Sequence, residues 1–273
     1  MDPALEEAAA WIRSANQLLV FTGAGVSAES GIPTFRDDHG FWREFPPDLF
    51  ATWNGLLATA ILRPRRFAAF AEAVIEPIAH AQPNAAHIAI ATAEQHVPIT
   101  VVTKNIDGLH QEAGSSCVYE IHGSFLEITT RPGRRRSLIE RRELQIIGSS
   151  LKRASLSFCI LPRVMFALRR IVGLGCRGIR HPNLVLFGDL LAEPAWTSAL
   201  KAAQNTDCVI QIGCSGLVWP AANLPDHARA AGARVIVVNP QKSKGDIWLQ
   251  GTATEVVPKL LKEAFGRLDS DEV

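Results

Sequence analysis

The residues able to do chemistry fall in short clusters, each directly after an apolar run. Leu18 to Phe21 is followed by Thr-Gly-Ala-Gly-Val-Ser-Ala-Glu-Ser-Gly-Ile-Pro-Thr-Phe-Arg, which ends at Arg36. Gly23 and Gly25, set between a strand and small residues that open a helix, let backbone amides approach a pyrophosphate at the positive end of a helix dipole. A Gly-Ala-Gly triplet alone also suits a plain tight turn. After Ile99 to Val102 comes Thr-Lys-Asn-Ile-Asp-Gly-Leu-His, residues 103 to 110. Asn105 and Asp107, an amide and a carboxylate two apart, can hold a carboxamide and a ribose hydroxyl or water; an Asx turn ending the strand is the plainer reading. After Val118 to Ile121 stands His122-Gly123. An imidazole titrates near neutrality and can take a proton from a sugar hydroxyl, although a histidine at a strand end also serves as a hydrogen-bonded structural residue.

Positioning these groups requires a sheet. Leu18 to Phe21, Ile99 to Val102, Val118 to Ile121, Leu184 to Phe187, Cys208 to Ile212 and Arg234 to Val238 are short and unbroken, as strands buried on both faces must be. Ala-rich stretches at 85–95, 194–204 and 221–231 read as helices between them. The alternation predicts an α/β fold, a Rossmann-like doubly wound parallel sheet with a smaller inserted domain, and such sheets bind ligands at the carboxyl ends of their strands. The polar groups after the last three runs, Gly188-Asp189, Gly213-Cys214-Ser215 and Asn239, then face the same crevice as the first three.

The size fits this plan. The chain has 273 residues, 47% of them hydrophobic, and a net charge of +1, which allows a sizeable core and gives no global field toward nucleic acid or membrane. The N-terminal stretch is acidic and helix-prone rather than signal-like, and no run is long enough to span a bilayer, so a cytoplasmic protein is expected. Five scattered cysteines without a C-x-x-C pair suit reduced thiols. Two stretches break the rhythm. Residues 41–82, rich in Trp, Phe, Pro and Arg, read as a helical module. The segment from Ile128 to Arg180 holds twelve Arg and one Lys against Glu140 and Glu143, a local excess of eleven positive charges. The expected division is a discontinuous dinucleotide domain from 1–40, 83–125 and 182–273, the helical module, and a divergent insertion at 126–181.

The ordered series from Gly23 to Arg36, with Thr-Lys-Asn-Ile-Asp and His-Gly following, resembles the sirtuin family, and the likeness extends along about four fifths of the chain. The resemblance implies an NAD-dependent protein lysine deacetylase or deacylase, a transferase that consumes NAD as co-substrate and yields nicotinamide and O-acyl-ADP-ribose. By the same resemblance His122 is the general base and Asn105 its catalytic companion. The dinucleotide falls to Gly23, Ala24, Gly25, Phe35, Arg36, Asn105, Ile106, Asp107, Gly213, Ser215, Asn239 and Ala253. Acylated lysine on a protein substrate, added as an extra strand, falls to Phe187, Gly188, Gly216 and Val218. Three positions depart from the family's motifs: Lys104 replaces a glutamine near the ribose, Asp189 shortens the acid of a Phe-Gly-Glu segment, and Cys214 stands in the middle of a Gly-Thr-Ser segment.

A larger departure lies between the His-Gly and Phe-Gly loops, where most sirtuins carry four cysteines around structural zinc. Here only Cys159 and Cys176 are present, with His181 poorly spaced as a third ligand, so no metal site is expected and zinc is in doubt. The basic segment in that place reads as a nucleic-acid or acidic-protein contact, as a shifted reading frame, or as a solvated divergent insertion. Sirtuins that favour succinyl or malonyl groups pair the acyl carboxylate with a Tyr and an Arg three apart; those places fall on Ala71 and Val74, which predicts neutral acyl groups. ADP-ribosyl transfer, NAD hydrolysis and a non-catalytic NAD-binding module are the rival readings.

Overall fold

A computed structural model describes residues 2–34, 41–132, 135–155, 157, 159–175 and 178–266. Its strands are β1 (Leu18–Thr22), β2 (Ile99–Thr103), β3 (Val118–Glu120), β4 (Gly123–Pro132), β5 (Arg135–Leu138), β6 (Gly173–Gly175), β7 (Gly178–Leu184), β8 (Cys208–Ile212), β9 (Arg234–Asn239) and β10 (Ile247–Gln250). Six of them form one sheet in the order β10-β9-β8-β1-β2-β3, every neighbouring pair parallel. All five residues of β1, of β2 and of β8 are buried, as the unbroken apolar runs predict.

The pleat divides β1 between two cores. Leu18 and Val20 pack with Ala8, Ile12, Ala86, Ile90, Val257 and Leu260 on one face, while Leu19 and Phe21 pack with Ala199, Ala203, Leu224 and Ala228 on the other. The helices that supply them have clear start signals. Asp2 accepts from the Ala4 amide at 3.0 Å to cap Pro3–Ser14, Asn84 caps Ala85–Ala93, and Thr252 with Glu255 forms a capping box on Ala253–Phe265. Helices on both faces of a parallel sheet make the doubly wound fold that the sequence predicts.

From β1 the chain builds outward through β2 to β3, then returns to place β8 on the other side of β1 and continues to β9 and β10. The strand order therefore reverses between β1 and β8, the point at which open α/β sheets leave a crevice for a nucleotide.

The chain divides into two compact units. The first comprises Met1–Gly31, Gln82–Ile121 and Leu191–Val273 and holds the parallel sheet; the second comprises Ile32–Ala81 and His122–Leu190. Within the second, an antiparallel sheet of order β5-β4-β7-β6 accompanies helices at Trp53–Leu62, Pro64–His80, Arg141–Ser155 and Ile160–Leu168. Arg141–Ser155 lies in the basic segment, yet buries Leu144, Ile147, Gly148, Leu151 and Ala154, one face of a helix, and packs on Pro64–His80.

Two expectations about strands are corrected. Leu184 to Phe187 is not a strand of the parallel sheet: β7 stops at Leu184 and pairs antiparallel with β4. The Asp189 carboxylate takes the Leu186 amide at 3.0 Å while the Leu186 carbonyl accepts the Asp189 amide at 3.0 Å, and this local turn ends the strand. The sixth parallel strand is instead β10, whose Ile247 and Leu249 are buried while Trp248 and Gln250 are not, and whose apolar run, Ile247 to Leu249, is only three residues long.

Candidate active site

The loops at the carboxyl ends of β1, β2 and β8 are tied together in the first unit by short bonds. Gly23 donates to the Ile212 carbonyl at 3.1 Å and Gly25 to the Gly213 carbonyl at 3.1 Å, which holds the ends of β1 and β8 against each other. A Cβ on Gly25 would lie 2.6 Å from the Gly213 Cα, and one on Gly23 would lie 2.8 Å from the Gly213 carbonyl oxygen, so only glycine lets the two backbones come this close. The helix expected after Gly25 is two three-residue 3₁₀ turns, Ala24–Val26 and Ala28–Ser30. A single turn aligns too few peptides for a macrodipole, so anion affinity here comes from local amides, those opening a turn having no partner inside it.

Asn105, 9% exposed, follows β2, and its Nδ2 donates to the Gly23 carbonyl at 3.2 Å and to Ser27 Oγ at 3.0 Å. Both amide hydrogens are thereby used, which leaves Oδ1 as the acceptor for a substrate amide or water. Asp107, 4% exposed, receives Ser27 Oγ at 2.7 Å on one oxygen and the Leu109 amide at 3.0 Å on the other. Ser27 thus joins the amide to the carboxylate. In the sequence Ser27 is one small residue of a turn, and its only signal is its place inside the Gly-Ala-Gly-Val-Ser run.

Lys104 lays its Cε 3.2 Å from where a Gly23 Cβ would stand, with its ammonium 5.2 Å from the centre of the Phe21 ring. Cys214 is buried beside it, and burial pushes that thiol's pKa up, opposed by the Lys104 charge. Two of the departures from the family's motifs, Lys104 and Cys214, therefore touch one another. Ile106 is half-buried between Asn105 and Asp107.

The other predicted residues divide between the units. Gly213, at φ 60°, and the exposed Ser215 and Gly216 follow β8, and Val218 accepts the Ala222 amide at 2.8 Å. Asn239 ends β9 with its Nδ2 on Ser243 Oγ at 2.9 Å, and Ala253 opens the last helix. In the second unit, His122 is half-buried and its carbonyl accepts the Val185 amide at 2.9 Å; its chain neighbour Ile121 donates to the Thr103 carbonyl at 3.0 Å in the first. Also in the second unit, Phe187 is 48% exposed with its ring 5.9 Å from that of Trp42, and Gly188 has φ 94°. Asp189 accepts the Trp53 indole at 2.9 Å. Phe35 and Arg36 lie outside the described residues.

Among the described residues no three His, Cys, Asp or Glu side chains stand close enough to hold a metal ion. His181 packs edge-on against Trp53 at 5.2 Å, and its Nδ1 is 2.9 Å from the Pro182 carbonyl. Cys176 lies outside the described residues.

Residues 23–220 match the model of the Sir2 family. The chain belongs to the Sir2 family. It is 36% identical to an NAD-dependent protein deacylase of Desulfosudis oleivorans over 268 residues, 96% of each chain. A solved Sir2 enzyme superposes with a TM-score of 0.76 at 33% identity, over 97% of this chain and 98% of its own. A Sir2 point mutant solved with a deacetylated p53 peptide and 3′-O-acetyl-ADP-ribose superposes at 0.74 and 26% identity, over 95% and 98%. The parallel sheet of this Sir2 chain carries the Gly23–Gly25 turn and the Asn105–Asp107 loop, with Lys104 and Cys214 side by side at that turn.

Proposed function

We propose that this Sir2 protein is an NAD-dependent protein deacylase that transfers the acyl group of an acylated lysine to ADP-ribose and releases nicotinamide. The observation that carries the reading is the strand-order reversal between β1 and β8, with Gly23, Gly25 and Gly213 in backbone contact there and Asn105 and Asp107 bonded to the same turn. Close backbone approach at a switch point and an acceptor amide beside it fit a dinucleotide. Bound NAD would supply an electrophilic ribose carbon, from which nicotinamide leaves and to which the acyl oxygen adds.

The chain's own groups do the rest. Gly23, Ala24, Gly25, Arg36 and Ser215 hold the pyrophosphate; Phe35, Gly213, Asn239 and Ala253 line the remainder of the nucleotide. Asn105 Oδ1 accepts from the carboxamide or a water, and Asp107, fixed by Ser27, orients the ribose end together with Ile106. His122 removes a proton from a ribose hydroxyl as general base. Phe187, Gly188, Gly216 and Val218 receive the lysine-bearing segment as an added strand. Ala71 and Val74 offer no guanidinium to an anionic acyl group, so acetyl and longer neutral chains are the substrates. A cytoplasmic setting is part of the proposal, in keeping with free thiols at Cys117, Cys159, Cys208 and Cys214. No helix among the described residues is long and apolar enough to cross a membrane.

The test is mass spectrometry of products from NAD and an acetyl-lysine peptide. O-acetyl-ADP-ribose and nicotinamide are expected, with turnover lowered by roughly 10² to 10⁴ in His122→Ala. Free ADP-ribose with an unchanged peptide would make the protein a hydrolase, ADP-ribose attached to the peptide a transferase of that group, and an unaffected His122→Ala variant would remove the histidine from the chemistry.

A further inference from the structure

Two imidazoles of the first unit lie in its core and take no part in the proposed reaction. His87, in the helix Ala85–Ala93, is 0% exposed, and His110, just after the Asn105–Asp107 loop, is 1% exposed; their ring centroids are 4.8 Å apart. From each a line of hydrogen bonds runs to a loop of the candidate site. His87 Nδ1 is 3.0 Å from Asn84 Oδ1, and Asn84 Nδ2 donates to the Val26 carbonyl at 2.8 Å and to Ser30 Oγ at 3.0 Å, both on the turns that follow Gly23. His110 Nε2 is 3.0 Å from Thr22 Oγ1, the Thr22 hydroxyl donates to Thr103 Oγ1 at 2.8 Å, and Thr103 Oγ1 also accepts the Asn105 backbone amide at 3.0 Å. Thr22 and Thr103 are the last residues of β1 and β2 and stand opposite each other in register.

Counting protons along this line fixes the histidine's form. Thr22 uses its single hydroxyl proton toward Thr103, so toward His110 it can only accept. His110 must therefore carry its proton on Nε2, which leaves Nδ1 bare. That Nδ1, like His87 Nε2, is buried with no hydrogen-bond partner among the described residues. A second proton on His110 would place an N–H and a charge where nothing accepts them, so the ring is confined to one neutral tautomer.

We propose that His110 is a positioning residue for the deacylase site: as the Nε2–H tautomer it orders the Thr22–Thr103 hydroxyl pair, which holds the Asn105 backbone and thereby aims Asn105 Oδ1. The inference rests on the deacylase reading. Asn105 reaches Gly23 and Ser27 through its side chain alone, whereas Thr103 Oγ1 holds its main chain. A main chain released by even a fraction of an ångström carries the whole side chain with it, and displacements near 1 Å cost about 10²-fold in rate.

Three variants separate positioning from simple core stability. Thr22→Val keeps shape and removes the hydroxyl; His110→Leu removes the donor; His110→Gln presents its Nε2 donor at about the reach of the imidazole Nε2. Thr22→Val and His110→Leu are expected to lower the rate of nicotinamide release at saturating NAD at least ~10-fold. The dissociation constant for ADP-ribose, which lacks the nicotinamide end, should stay within about twofold. His110→Gln should retain most of the wild-type rate. In ¹⁵N spectra of the wild type, His110 should appear as the Nε2–H tautomer at neutral pH, and the Asn105 amide resonance should move in Thr22→Val. Wild-type turnover in Thr22→Val and His110→Leu, loss of ADP-ribose affinity in step with rate, failure of His110→Gln to rescue, or an Nδ1–H tautomer would each overturn the inference. A wild-type protein that binds no ADP-ribose and releases no nicotinamide would instead overturn the deacylase reading, while the tautomer and the Asn105 resonance would still report on the hydrogen-bond line.

Discussion

Gly25 and Gly213 lack side chains because each stands where the other's would go. A Cβ on either meets backbone of the other at 2.6 Å, and backbone at the junction of two central parallel strands cannot step aside. Gly25→Ala should therefore lower the unfolding free energy by roughly 1–3 kcal/mol, read as a shift in urea midpoint with unchanged slope. Lys104 poses a different question, since its neighbours are an aromatic face and a buried thiol beside the glycine turn. A cation so near the proposed pyrophosphate gives NAD binding a component that salt screens. Lys104→Gln should weaken NAD binding most at low ionic strength and remove most of its salt dependence, measured as KM for NAD at two salt concentrations; an unchanged dependence would place the ammonium out of the dinucleotide's reach. Acyl choice is decided at the same scale. Ala71 is 8% exposed, a small apolar side chain on the packed face of Pro64–His80, so succinyl peptides should turn over more slowly than acetyl peptides of the same sequence, and the reverse order would show a cation that this reading does not contain. The polar clusters after β1, β2, β3, β8 and β9 are legible in the sequence because each follows a strand. Ser27 is not, since bonds from residue 27 to residues 105 and 107 span about eighty positions and leave no local pattern.

Elements were legible in proportion to how completely their neighbours bury them. β1, β2, β8 and β9 are covered on both faces and read as unbroken apolar runs. β10, at the sheet edge, alternates buried with more exposed residues and went unread, while Leu184 to Phe187 had the composition of a strand but is turned aside by the Asp189 carboxylate. In the basic segment the density of charge masks the apolar spacing. Leu144, Ile147, Gly148, Leu151 and Ala154 recur at helical intervals, and Gly148 comes close enough to Pro64–His80 that a Cβ there would meet the Glu76 carboxylate at 2.6 Å. Several cations of the segment are engaged within its own unit: Arg136 with Glu127 at 3.1 Å, Arg170 with Glu143, and Arg169 over the Phe166 ring at 3.8 Å. A helix seated this way contributes to stability as a core element does. Leu151→Ala, at a fully buried position, should cost about 2–5 kcal/mol, seen as earlier loss of helical circular dichroism in urea; a cost near zero would mean that Arg141–Ser155 does not pack on Pro64–His80 in solution.

The whole molecule should lose stability in mild acid, and the buried histidine pair gives the reason. Burial lowers the His87 pKa from 6.5 to about 4, and burial with the neighbouring His87 lowers that of His110 to about 3. In the unfolded chain both rings take up a proton as pH falls through about 6.5, whereas in the folded protein they remain neutral until about 4 and 3. Between those limits the unfolded state binds more protons, so unfolding free energy rises with pH and declines as acid is added. Each ring contributes close to 1.4 kcal/mol per pH unit within that window, which sums to roughly 3–4 kcal/mol between pH 7 and pH 5. A typical domain holds only about 5–15 kcal/mol in total, so the loss is large enough to read directly. Urea unfolding at pH 7, 6 and 5 should show a falling midpoint, and the slope near pH 5 should correspond to uptake of about two protons on unfolding. His87→Gln, which removes one of the two titrating rings, should reduce that uptake to about one. A midpoint that stays level from pH 7 to pH 5 would mean that both imidazoles take up their protons in the folded protein as they do in the unfolded chain, and the neutral hydrogen-bond line from His110 to Asn105 would then lose its starting point.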